Sequence, residues 1–181
     1  MNGDRWLADV TRRFRELKSQ CDRALEQVPF GRWGHRLDPE ANSIETLVLH
    51  LSGNMRSRWT DFLTSDGEKP DRDRDTEFED AALDRVALQA RWEAGWDCLF
   101  GALGSLGDAD LERTVVIRAQ AHTVFEAIDR QLAHYAVHTG QLVFLARHLA
   151  GAGWKTLSVP RGGSGAFNTS MMGANPERPR G

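Results

Sequence analysis

Apolar residues recur at alternating spacings of three and four over four long stretches, and each stretch predicts an amphipathic helix. The first runs from Arg5 to Val28 through Leu7, Val10, Phe14, Leu17, Cys21, Ala24 and Val28, and Pro29 and Gly31 stop it. The second opens at Asn42, where Glu45 makes a capping box, and carries Ile44, Leu47, Val48, Leu51, Met55, Trp59 and Phe62 to an end near Thr64. The third spans Ala81 to Leu106, with Leu88, Trp92, Trp96, Leu99, Leu103 and Leu106 inward. The fourth starts near Thr123, with Glu126 at the capping-box position. Its seam is Ile128, Leu132, Tyr135, Thr139, Leu142, Ala146 and Leu149, and Gly151 and Gly153 end it.

Between the second and third helices lies a charged connector, Ser65 to Asp80. Its run Asp71, Asp73, Asp75 resembles the start of a calcium loop. Thr76 stands where such a loop needs Gly, and Ala82 where it needs Glu, so the segment reads as a solvated loop. Thr114 to Arg118 is short and β-branched, an extended crossing segment or a small strand. The stretch 154–181 is rich in Gly, Ser and Pro. Trp154, Leu157, Val159 and Phe167 are anchors with which it docks on the bundle, and its last ten residues read as mobile. The phrase PRGGSGAFN lacks the Lys-Ser/Thr ending of a phosphate loop and is not followed by an obvious helix. Together these patterns predict an all-α fold: a four-helix bundle over 1–153 with an irregular C-terminal tail over 154–181.

The 181 residues suffice for one domain with its own core. The chain is 40% hydrophobic and 27% charged with a formal net charge of -3, and its Lys and Arg are scattered, which argues against a nucleic-acid partner. No apolar run is long enough to span a bilayer. The first residues carry no apolar segment of a secretory signal, so the expected location is cytoplasmic. Cys21 and Cys98 fall on helix rows of small and apolar residues and read as buried side chains rather than a disulfide or a metal pair. The six tryptophans lie mostly on apolar helix faces and read as core.

His134 and His138 change the picture. Four apart on a helix, they stand one turn above each other on the same face, a spacing at which two imidazoles can share a metal ion. A core histidine bonded to Tyr135 or to a carbonyl, or an exposed pair, would explain the spacing equally. His50, between Leu47 and Leu51 at the edge of the second helix's apolar face, is a third candidate, since bundles build metal sites from facing helices. A zincin would need Glu where Tyr135 stands, and a di-iron bundle would need Glu-x-x-His pairs that the chain lacks. What remains is a mononuclear all-imidazole site, suited to zinc or nickel. Its ligands are neutral, which favours an anionic fourth ligand such as hydroxide or thiolate. His122, at the start of the fourth helix, is the residue to test as a fourth protein ligand. Asn54 and Arg58 lie along the His50 row, and Gln131 and Gln141 along the His134–His138 row, where they can orient a bound small molecule.

The phrases HLSGNMRSRWTDFLTSDGEKP, DRQLAHYAVHTGQLVFLARHL and WKTLSVPRGGSGAFN, in that order between Asn42 and Asn168, resemble the DinB/YfiT-like superfamily. The resemblance implies a four-helix bundle with a metal held by three histidines, which fall here on His50, His134 and His138. It further implies a transferase that activates a low-molecular-weight thiol, bacillithiol- or mycothiol-like, for conjugation to an electrophile, and a homodimer. Two alternatives stand beside it. One is a metal-dependent hydrolase using a metal-bound water; the other is a non-enzymatic, stress-associated metal-binding bundle.

Overall fold

The computed structural model describes residues 2–79 and 83–174. Four long helices form the bundle, each started by a side chain that satisfies an otherwise orphaned amide. Asn2 caps α1 (Gly3–Leu25) by accepting from the Arg5 amide. Ser43 and Thr46 form a reciprocal capping box on α2 (Ile44–Trp59), one residue beyond the expected Asn42 and Glu45. Both residues are fully buried, so their hydroxyls close the helix end where water has no access. Asp84 caps α3 (Arg85–Gly104). The expected earlier start at Ala81 lies outside the described residues. Thr123 and Glu126 cap α4 (Val124–Ala150) as the sequence predicts.

Contacts along these helices fix their directions. Trp6 stacks on Phe125 and Cys21 meets Thr139, so α1 and α4 run parallel. Asn54 bonds Gln131 while His50 faces His134, so α2 runs opposite to α4. Lys18 reaches Glu93 and Arg15 lies over Phe100, so α3 runs opposite to α1. Helices α2 and α3 are therefore parallel neighbours, and the chain between them must return along the bundle before α3 can begin. They pack closely: a Cβ on Gly95 would lie 3.1 Å from the Ser52 Cα.

That return segment corrects the reading of a solvated connector. Arg72 and Glu77 bury their side chains against the bundle, at 5% and 9% exposure, because each is the other's ion-pair partner. The β-branched segment is a strand, β1 (Thr114–Ile117), paired antiparallel with a second strand that the sequence did not disclose, β2 (Gln120–Thr123). The tail is pinned by reciprocal bonds between Gln27 and Lys155, and Trp154 and Leu157 pack on the core. Beyond them α5 (Ser164–Ala174) is a helix within the phrase read as irregular, and Phe167 is 48% exposed instead of anchored. The expected mobile end falls largely outside the described residues. Among the described residues no helix is long and apolar enough to cross a membrane.

Candidate metal centre

The middle of α2 and the middle of α4 face each other, and the polar ends of three side chains meet there. His50 comes from a helix buried on almost every side and is 3% exposed. His134 and His138, one turn apart on α4, are half-buried. The His134 Nε2 lies 3.4 Å from the His50 Nε2 and 3.1 Å from the His138 Nε2. These two separations match the spacing of about 3.3 Å between nitrogens that share one tetrahedral ion at ordinary Zn–N distances, and all three ligand atoms lie within 4.8 Å of one another. The three rings lie steeply inclined to one another, with interplanar angles of 84°, 69° and 89°. The arrangement can hold a metal ion.

The opposite edges of two rings decide which nitrogens are free. The His50 Nδ1–H donates to the Glu77 Oε2 at 3.0 Å. A carboxylate can only accept, so in the neutral ring the His50 Nε2 presents a lone pair to the centre. The His138 Nδ1 donates to the Gln141 Oε1 at 2.7 Å, with the same result. The His134 Nδ1 is buried and has no hydrogen-bond partner among the described residues. Two lone pairs thus converge beside a third ring nitrogen, which is a donor set for a divalent cation. Burial, and then the positive charge that His138 and His50 would add, push the His134 imidazolium down to about 3. Burial lowers His138 as well. Both rings are neutral near pH 7, the form that binds metals.

Glu77 is the residue that the sequence reading missed. Burial alone would raise its carboxyl, but the hydrogen bonds from His50 and Arg72 outweigh that and hold it below its ordinary value. Arg72 grips both carboxylate oxygens, Nε on Oε1 and Nη2 on Oε2, each at 2.8 Å. Phe78 lays its ring 4.8 Å from that of His50. Beyond Glu77, away from the imidazoles, a cavity of about 740 Å³ opens between α2, α3 and the connector, with Leu49, Gly53, Arg72 and Gly95 among its walls.

The other candidate residues divide. Gln141 is at the centre through His138. Asn54 and Gln131 are buried about one helical turn along the bundle from the centre, where the Gln131 amide donates to the Asn54 Oδ1 at 2.8 Å and to the Tyr135 hydroxyl at 3.1 Å. Arg58 is buried against Gly67 and Glu68. His122 lies on β2, outside the three-histidine group. Cys21 is buried and bonded to Thr139, and burial pushes its thiol up to about 12. A family model described as a protein of unknown function (DUF1572) matches residues 1–163. No curated protein and no solved structure matches the chain.

Proposed function

The chain belongs to the DUF1572 family, and from that premise we propose that it is a metal-binding bundle whose His50, His134 and His138 hold a divalent ion, zinc or nickel, for thiol transfer to an electrophile. The observation that carries the reading is the convergence of three Nε2 atoms at 3.1 and 3.4 Å, with two of the opposite N–H groups already donated. The resemblance of the His50 and His134–His138 phrases to DinB/YfiT-like proteins points the same way.

A divalent ion held by His50, His134 and His138 would supply positive charge that favours a thiol in its thiolate form. The chain's own residues support this chemistry. His134 and His138 are half-buried and Gln141 is exposed, so the centre is reached from solvent on the α4 side. The thiol proton leaves to solvent by that route. Attack forms a carbon–sulfur bond, and the electron pair of the broken bond departs with the electrophile's leaving group. Hydrolysis would draw on a protein group that relays protons to the leaving group. Glu77, the carboxylate bonded to His50, already accepts from His50 and Arg72 at both oxygens, which favours a thiol over water as nucleophile.

Metal content of tag-free protein tests the reading. About one zinc or nickel ion per chain is expected in the wild type, with near-complete loss in His138→Ala. The loaded protein should then speed conjugation of a small thiol to a chlorodinitrobenzene. Absence of stoichiometric metal after reconstitution removes the proposal.

A further inference from the structure

Resting on the three-histidine reading, we infer that Glu77 is a positioning residue of the centre, and that the three imidazoles are held unequally: His50 most firmly, His138 less, His134 least. Glu77 fixes the tautomer and orientation of His50 through one carboxylate oxygen. The Arg72 guanidinium, itself only 5% exposed, grips both oxygens and holds the carboxylate in that orientation. A ring of Phe78, the next residue, backs the same imidazole. Gln141 performs the corresponding task for His138 with a neutral, exposed amide. His134 has no partner of this kind among the described residues.

A second feature, on a different element, shows that this support is built into the fold. Gly53 sits in the interior of α2, one turn after His50, where glycine is a poor helix former. A Cβ there would stand 2.1 Å from the Glu77 Oε1 and 2.8 Å from its Cδ. The missing side chain is the space through which the carboxylate reaches the helix. A side chain there would force the Glu77 carboxylate to shift from the place where it bonds His50. Glu77 and Arg72 also form part of the wall of the cavity of about 740 Å³.

The test uses cobalt(II) as the probe, read by its visible absorption and by competition with a chromophoric chelator, on wild type, Glu77→Gln, Gly53→Ala and Gln141→Ala. Gly53→Ala leaves every ligand and the chemistry of Glu77 unchanged and displaces the end of the Glu77 side chain, and its circular dichroism and melting temperature are expected to match those of a folded wild type. We expect Glu77→Gln and Gly53→Ala to weaken binding about 10–100-fold with a changed cobalt spectrum. Gln141→Ala should weaken it less. Wild-type affinity and spectrum in both Glu77→Gln and Gly53→Ala would overturn the inference. A nitrogen-15 NMR readout of the metal-free protein separates this failure from that of the functional reading. If wild type binds no cobalt, the metal assignment falls. The positioning of His50 still stands if its proton sits on Nδ1 in wild type and redistributes in Gly53→Ala. A His50 proton on Nε2 in wild type overturns it.

Discussion

His134 owes its neutrality to burial and then to the charge His138 and His50 would add, and His138 owes its own chiefly to burial, which gives the metal-free protein a pH dependence with a definite sign. Both groups bind a proton less readily in the folded chain than in the unfolded one. Above the ordinary histidine value near 6.5 neither state is protonated and the difference vanishes. As pH falls below it, the unfolded chain takes up protons that the folded chain refuses, and stability drops down towards about 3. The expected outcome is a melting temperature that declines between pH 7 and pH 5. The decline should be smaller in His134→Gln, and a flat profile in the wild type would contradict the burial argument. The three histidines were legible in the sequence because each interrupts or borders an apolar helical row, where an imidazole stands out. Glu77 was not, since it comes from a stretch, 65–80, in which eleven of sixteen residues are charged and no periodicity marks the one that turns inward. Its trace lies elsewhere, in a glycine placed inside α2 one turn beyond His50.

Regular helices announce their ends better than hairpins do. The Thr123–Glu126 box was readable to the residue, and the α2 cap only to within one, because Asn42–Glu45 and Ser43–Thr46 are adjacent and chemically similar pairs. Helix α5 was hidden by its Gly- and Ser-rich composition, and β2 by a turn with no Asn-Gly signal. That turn, Arg118–Ala119, places two ordinary residues in the left-handed region, at φ of 54° and 59°. Asp66 makes it tolerable by accepting from both amides, at 2.8 and 2.9 Å. Glycine at the second position would relieve part of the steric cost and give some back in chain entropy. Ala119→Gly should therefore stabilise the protein by roughly 0.5–1 kcal/mol, seen as a higher urea midpoint with unchanged slope. A lower midpoint would mean that the alanine methyl makes a contact worth more than the strain.

Over the whole molecule, the bundle architecture followed from four apolar stripes, while the order of its helices did not. Nothing in a stripe says whether the next helix runs back or alongside. The long connector was the clue, since a parallel α2 and α3 require a return segment, and in making that return the chain carries Arg72 and Glu77 to the face of α2 where His50 lies. Four of the six tryptophans are buried, at positions 33, 59, 92 and 96.

His50 and His134 are separated by 84 positions along the chain, and the described cysteines are both unpaired thiols. An ion shared across α2 and α4 would act as a detachable staple, tying the second helix to the last long one. In the chain-entropy account, closing a loop of that length removes on the order of 4 kcal/mol from the unfolded state's advantage. Titrating in a chelator would then loosen the fold as reduction loosens a disulfide-bonded one, and the lifetime of the native state would follow metal supply.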